Sequence, residues 1–141
     1  MNYHKQSSFL IFLALLLLFC SCKKKYPNED LIIRYTVENA KQFENKSEFT
    51  VLTIRTPLLA CAASLEKHDY KSILNETKQN FAHPLFIISD WELSLYGLDS
   101  VLYEDYTQIL ECPFVLDKYA YPYTPTAFRI KNKKIETWKE Y

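Results

Sequence analysis

Residues 49–55, FTVLTIR, and residues 84–89, PLFIIS, decide the fold class of this chain. The first stretch is rich in β-branched residues, the second is almost entirely apolar, and turn-forming residues bound both. Short apolar runs of this kind are typical of strands buried inside a parallel sheet. Between them, apolar positions separated by charges over residues 61–80 predict an amphipathic helix. The two stretches therefore predict a strand–helix–strand unit whose strands are parallel neighbours.

The segment before the first strand, residues 31–43, fits two periodicities. Its first apolar residues alternate as in a strand, whereas Ile33, Val37, Ala40 and Phe43 recur at helical spacing. We favour a helix because the pattern continues past Val37.

The segments after the second strand predict a helix, a short strand and a hairpin. Residues 91–110 are predicted to be helical with a break near Gly97, and PFVLD (113–117) to be a short strand. TAFRI and KIETW flank a turn in which Asn132 can adopt the left-handed conformation of a hairpin.

Composition limits the classes of function. The chain has 141 residues, enough for one domain, and with 48% hydrophobic and 16% aromatic residues it can form a core. The 17 basic residues balance the 17 acidic ones, which removes the positive charge expected of a nucleic-acid-binding protein. Gly97 is the single glycine, so a Gly-rich phosphate loop is excluded.

The N-terminal segment has the features of a signal peptide. Lys5 precedes an unbroken apolar run from Phe9 to Cys20, which is shorter than the roughly 20 residues that span a bilayer. The small residue Ser21 precedes Cys22, and this end of the segment resembles a bacterial lipoprotein signal. The resemblance implies cleavage after residue 21 and lipidation of Cys22.

This assignment divides the chain into a signal peptide (1–21), a tether (22–30) and a domain (31–141). The stretch SCKKK, followed by a chain rich in Lys, Asn, Ile and Tyr, resembles lipoproteins of the Bacteroidetes. We therefore expect a protein anchored in the bilayer of the cell envelope, in the outer membrane facing the periplasm. The lysines after Cys22 fit either contact with headgroups or a solvated tether.

Three stretches together resemble the thioredoxin-fold family, closest to lipid-attached thiol–disulfide oxidoreductases of the envelope. They are FTVLTIRTPLLACAAS, PLFIIS and CPFVLDKYAYPYTPTAFRIKNKKI. The resemblance covers residues 48–138 and implies a three-layer α/β sandwich with a mixed sheet. It places Cys61 at the nucleophile position and Pro125 at the cis-proline position.

The chain departs from the family in its active-site motif, where Ala60 replaces the aromatic residue and Ala62 and Ala63 replace the Gly-Pro pair, and at its C-terminus. Ser64 stands where the family has its second cysteine, and the family's C-terminal helix has no counterpart before Tyr141. A helix at residues 31–43 is the segment that we expect to cover the face left open by that helix.

The resemblance implies that Cys61 is the attacking thiolate. Because Ser64 replaces the second cysteine, the motif contains no second thiol with which Cys61 could form a disulfide. A monothiol forms a mixed disulfide with its substrate and needs another thiol to resolve it. Cys112 is the remaining thiol, but a strand at 113–117 would place it at the opposite end of the sheet, as a buried apolar residue. Two functions stay open: a disulfide oxidoreductase or isomerase acting through Cys61, and a redox-silent binding or scaffolding module.

Other side chains suggest no further chemistry. His68 and His83 lack the spacing of metal ligands, so we expect no metal and no cofactor. Tyr119, Tyr121 and Tyr123 fit either a peptide-binding groove or packing.

Overall fold

The computed structural model of the chain describes residues 25–39, 41–55, 68–81, 84–98 and 106–141. These residues form an α/β structure with one mixed five-stranded sheet and three α-helices. The elements in chain order are α1 (Glu29–Asn39), a 3-10 turn (Lys41–Phe43), β1 (Glu48–Ile54), α2 (Tyr70–Asn80), β2 (Leu85–Ser89), a 3-10 turn (Leu93–Tyr96), β3 (Tyr106–Leu110), α3 (Pro113–Lys118), β4 (Thr126–Lys131) and β5 (Lys134–Glu140).

The strands lie in the order β3-β2-β1-β4-β5. β1 pairs in parallel with β2, which confirms the two parallel neighbours predicted from the sequence. β2 also pairs in parallel with β3. β4 is antiparallel to β1, and β5 is antiparallel to β4. The parallel strands β1, β2 and β3 therefore end on the same side of the sheet, and the turn between β4 and β5 lies on the side where those three strands begin.

Helices cover both faces of the sheet, because alternate strand residues point to opposite sides. On the first face α1 and α3 pack against the sheet, in a cluster that includes Ile32, Tyr35, Val51, Phe86, Ile88, Leu116, Tyr121 and Phe128. On the second face α2 and the Leu93–Tyr96 turn pack against it, in a cluster that includes Leu52, Ile54, Ile73, Leu74, Ile87, Leu93 and Ala127.

The helix predicted over residues 31–43 is confirmed in α1, and its packing on one sheet face is confirmed as well. Phe43 follows in the 3-10 turn and stacks on Phe49, with 5.1 Å between ring centroids. Tyr26 and Glu29, which we expected in the tether, are buried. Part of the predicted tether therefore packs with the domain.

Two predictions after β2 are wrong. The helix over 91–110 is replaced by the Leu93–Tyr96 turn and by β3, although the predicted break is present at Gly97, whose φ is 68°. The strand over 113–117 is helix α3, with Pro113 in its first turn. Proline suits that position because its φ is already helical and its missing N–H has no partner there. A five-residue apolar run does not distinguish strand from helix by periodicity.

The hairpin turn is confirmed. Asn132 and Lys133 have φ values of 50° and 59°, the two left-handed positions of a two-residue turn between antiparallel strands. The helix predicted over 61–80 is described from Tyr70, and Asp69 caps it by accepting a hydrogen bond from the Ser72 N–H at 3.1 Å. Residues 61–67 lie outside the described residues.

Candidate functional site

The three parallel strands end on the same side of the sheet. We call these strand ends, together with the residues that follow each strand, the carboxyl edge. The pairing aligns Ile54 of β1 with Ser89 of β2, and Ser89 with Leu110 of β3. On the other side of β1, Thr53 pairs with Thr126, the first residue of β4. Ligands of open α/β sheets bind at this end of the strands, which makes the carboxyl edge the first place to look for a site.

Arg55 is the first residue after β1, and its side chain is buried with only 1% of the residue exposed. Its guanidinium donates to the Tyr121 carbonyl oxygen at 2.5 Å and to the Pro113 carbonyl oxygen at 3.3 Å. It also donates to Asp117 Oδ1 at 2.7 Å. Arg55 therefore ties the end of β1 to both ends of α3 and to the loop before β4. Its Nε is buried without a hydrogen-bond partner among the described residues.

Asp117 and Tyr123 complete this cluster from the solvent side. The Tyr123 ring lies over the Arg55 guanidinium, with 4.1 Å from Cζ to the ring centroid. The Tyr123 hydroxyl donates to Asp117 Oδ1 at 2.7 Å. Hydrogen bonds from Arg55 and from Tyr123 lower the pKa of the Asp117 carboxyl from its ordinary value, since both stabilise the carboxylate. The same bond to Asp117 raises the pKa of the Tyr123 hydroxyl.

Tyr121 anchors the loop before β4 to α1. Its hydroxyl donates to the Ile32 carbonyl oxygen at 3.0 Å and lies 2.5 Å from the Thr36 hydroxyl. Burial raises the pKa of this hydroxyl, so it is neutral across the physiological range. Of the three tyrosines proposed for a groove, Tyr121 therefore packs in the interior, and Tyr119 packs on Tyr35 at 4.5 Å between ring centroids. Tyr123 is at the surface, 42% exposed.

The structure places two of the predicted site residues at the carboxyl edge. Pro125 is buried directly before β4, and its carbonyl oxygen accepts from the Tyr141 N–H at 3.0 Å. Cys112 lies between β3 and α3 as a free, exposed thiol. Cys61, Ser64 and Cys22 lie outside the described residues, so their assigned roles stay predictions.

The expectation that Cys112 is buried at the opposite edge is wrong. It rested on a strand at 113–117, whereas the strand is β3, which ends at Leu110 before Cys112. Because β3 is parallel to β1 and separated from it only by β2, Cys112 follows the same edge as Arg55. Two strand spacings of about 4.8 Å separate the ends of β3 and β1.

Exposed apolar side chains are concentrated at this edge. Among the described residues, the large apolar side chains that are at least 42% exposed all lie on or beside the segments that follow β2 and β3 or precede β4. They are Trp91, Leu95, Leu110, Phe114 and Tyr123. Gln108 of β3 holds the Trp91 backbone near β3 by donating to its carbonyl oxygen at 3.1 Å. Scattered exposed apolar residues are ordinary, but several at one edge are typical of a surface that binds another molecule.

Reasoning from sequence missed the Arg55–Asp117 pair. The available signal was the arginine at the end of the apolar run VLTIR. A charged residue directly after a buried strand needs a partner of opposite charge or a hydrogen-bond acceptor. The identity of that partner, 62 positions further along the chain, depends on the topology.

The Arg55–Asp117 pair predicts an acid-dependent stability. Because its folded pKa is lowered, the Asp117 carboxylate stabilises the fold above its unfolded pKa of about 3.9, and this contribution disappears as pH falls through the lower folded value. Asp117→Asn should therefore lower the urea midpoint at pH 7 and have no effect below the folded pKa. The control is Glu92→Gln, an exposed carboxylate that makes no capping bond. Equal effects of Asp117→Asn at both pH values would contradict the prediction.

The described residues contain no group of three His, Cys, Asp or Glu side chains arranged to hold a metal ion. Within the same ranges, no helix is both long enough and apolar enough to cross a membrane.

Comparison with known proteins gives no relative: no protein-family model, no curated protein and no solved structure matches the chain.

Proposed function

We propose that this protein is a thioredoxin-like lipoprotein of the cell envelope that carries out thiol–disulfide exchange at the carboxyl edge, with Cys61 as the attacking thiol and Cys112 as the resolving thiol. The strand order supports the fold assignment. β2, β1, β4 and β5 are adjacent in that order, and β4 is antiparallel to the strand that precedes Cys61, so the sheet is mixed, which is what the resemblance implies.

The position of Cys112 is the observation that carries the proposal. The Arg55 side chain reaches the carbonyl oxygen of Pro113, so one side-chain length separates the end of β1 from the residue next to Cys112. The six peptide units from Arg55 to Cys61 span at most about 20 Å. Cys61 is therefore within reach of the 4.4–6.8 Å Cα separation, roughly, that a disulfide requires.

The exchange proceeds in two steps, each of which exchanges one sulfur–sulfur bond. The Cys61 thiolate attacks a substrate disulfide, forms a mixed disulfide, and the other substrate sulfur leaves as a thiolate that takes up a proton. The Cys112 thiolate then attacks Cys61 Sγ, forms the Cys61–Cys112 disulfide and releases the second substrate thiolate. The substrate gains two electrons and the protein loses two, so a dithiol reductant of the envelope must restore the protein.

The envelope location follows from the lipoprotein signal. An oxidising compartment is where protein disulfides form and persist, and so where a protein that exchanges them has substrates. The exposed apolar side chains beside Cys112 provide a surface for the polypeptide that carries the disulfide.

A redox-silent binding module is the second candidate, favoured by the same apolar surface and by Ser64 in place of the family's second cysteine. In that case the carboxyl edge binds a partner protein without exchanging sulfur.

Exchange kinetics distinguish the two functions. The full mature chain, supplied with a dithiol reductant and a disulfide-linked fluorogenic peptide, should turn over many times. Cys61→Ser should reduce the rate to that of the reductant alone. Reduced Cys112→Ser, mixed with the peptide after the reductant has been removed, should accumulate a mixed disulfide between Cys61 and the peptide. Ser94→Ala, at an exposed serine of the same edge, is the control. A wild-type rate equal to that of the Cys61→Ser/Cys112→Ser variant would refute exchange and support the binding module.

A further inference from the structure

We infer that the protein rests on anionic lipid headgroups through the turn end of its β4–β5 hairpin. The contacting residues are Lys131, Lys133 and Lys134, which we call the hairpin lysines, with Lys25 beside them. The inference rests on the lipid anchor proposed at Cys22, and it specifies which side of the domain faces the bilayer.

The short connection to Cys22 restricts the orientation of the domain. Tyr26 is buried against Phe128 and Trp138, with ring centroids 4.9 and 5.2 Å away. The four peptide units between Cys22 and Tyr26 span at most about 14 Å. Lipid chains on Cys22 would therefore hold the side of the domain that carries Tyr26 directly against the membrane surface.

That side is the turn end of the hairpin. Glu29, at the start of α1, accepts a hydrogen bond from the backbone N–H of Ile135 at 2.5 Å. Lys25 Nζ lies 3.5 Å from Glu29 Oε2. Ile135 directly follows Lys134, so the point where the chain enters the fold and the hairpin lysines are neighbours.

The hairpin lysines form an exposed cationic tip. All three are exposed, and within the described ranges Lys133 and Lys134 make no ion pair. Lys131 has one distant partner, Glu48, at 3.9 Å. Unpaired ammonium groups near an anionic bilayer are attracted to its headgroups, and this attraction falls off within a Debye length.

Most carboxylates of this side already have cationic partners. Glu29 and Asp30 pair with Lys25, and Glu48 and Glu136 pair with Arg129. Glu44 makes no ion pair in the part of the chain that the structure describes. Lys25 and Arg129 are each shared between two carboxylates, so the five cations and five carboxylates named on this side balance. The three hairpin lysines nevertheless concentrate positive charge at the turn, where the first contact with a membrane would occur.

The tip also has the shape to admit a headgroup. A depression of about 560 Å³ is lined by Lys131, Asn132, Lys134, Ile135 and Glu136. A lipid phosphate that enters it would meet the side chains of Lys131 and Lys134, while the Glu136 carboxylate of the same depression is paired with Arg129. The opposite end of the sheet lies about 23 Å away, the length of the seven residues of β1 at roughly 3.3 Å each. The carboxyl edge, with Cys112, would then face away from the bilayer toward its partners.

The test uses the lipidated full chain in phosphatidylcholine vesicles with or without phosphatidylglycerol. Ser47→Cys and Ser94→Cys, each in a Cys61→Ser/Cys112→Ser background, place one environment-sensitive dye at exposed serines on opposite sides. Ser47 adjoins the hairpin turn, since its carbonyl oxygen accepts from the Asn132 N–H at 2.7 Å, and Ser94 follows β2. A headgroup-borne quencher should quench the dye at residue 47 several-fold more than at residue 94, and phosphatidylglycerol should increase this difference.

Lys133→Gln/Lys134→Gln should remove the dependence on phosphatidylglycerol, whereas Lys71→Gln/Lys118→Gln, with the same change in charge, should preserve it. In the unlipidated Cys22→Ser chain, the first pair should weaken binding to phosphatidylglycerol vesicles by about fivefold per lysine. Equal quenching at both positions in vesicle-bound protein would overturn the orientation while leaving the anchor intact. A chain that does not remain with vesicles would overturn the anchor itself, and neither result bears on the exchange assay.

Discussion

A chain that begins at residue 40 is expected to lose the cooperative unfolding transition of the chain that begins at residue 22. Removing residues 22–39 deletes α1 and uncovers the first face of the sheet. Tyr26, Ile32, Ile33 and Tyr35 are all buried in that cluster, and burial of one such side chain contributes about 1.5–3 kcal/mol. The loss is comparable with the whole stability of a typical domain, about 5–15 kcal/mol. Urea unfolding monitored by fluorescence, together with binding of a hydrophobic dye, measures it.

Point variants give the same test without a deletion. Ile32→Ala should cost about 2–5 kcal/mol, because Ile32 is fully buried between α1 and the sheet. Arg34→Ala, at an exposed position of the same helix, should change the free energy of unfolding by less than about 0.5 kcal/mol. An unchanged urea midpoint and unchanged dye binding in the truncated chain would show that α1 does not stabilise the fold.

Arg55→Met is expected to cost about 2–4 kcal/mol of folding free energy, because it removes the buried donors of two backbone carbonyl groups. Tyr121 would lose the buried 2.5 Å hydrogen bond to its oxygen, and a buried polar group without a partner costs about 1–3 kcal/mol. The Pro113 oxygen would lose a longer bond, at 3.3 Å, in the first turn of α3. Methionine keeps most of the apolar stem, so the measured cost reports mainly on the guanidinium. Asp117 is at the surface, and loss of its partner should add little.

A double-mutant cycle apportions this cost. Arg55→Met and Asp117→Asn, singly and together, separate the Arg55–Asp117 interaction from the bonds to the two carbonyl groups. Arg34→Met is the control for loss of an exposed arginine. An effect of Arg55→Met as small as that of the control would contradict the account of Arg55 as the residue that ties β1 to α3 and to the loop before β4.

The parallel strands and the hairpin were predictable because their signals are local. The apolar runs of β1 and β2 and the left-handed turn at Asn132 depend on a few adjacent residues. The prediction placed a helix where the structure has β3 and a strand where it has α3. Both segments are short, and packing against the sheet determines the secondary structure of such segments more than intrinsic propensity does.

The candidate site was only partly predictable for the same reason. Pro125 and Cys112 were named as site residues from the sequence. The predicted location of Cys112 was wrong, because it depended on a strand at residues 113–117, where the structure has helix α3. The Arg55 cluster joins three segments that are distant in the chain, and the fold alone brings them together. A buried cation at the end of an apolar strand indicates that a partner exists without identifying it.

Disulfide mapping of the oxidised protein tests the central proposal, exchange through Cys61 and Cys112, most directly. The purified mature chain is oxidised with a small disulfide, alkylated, digested and analysed by mass spectrometry, at a dilution that prevents bonds between molecules. We predict one intramolecular disulfide between Cys61 and Cys112, which a dithiol reduces and which Cys112→Ser abolishes. Quantitative alkylation of both thiols after oxidation, with no linked peptide, would contradict the account and leave the carboxyl edge as a binding surface alone.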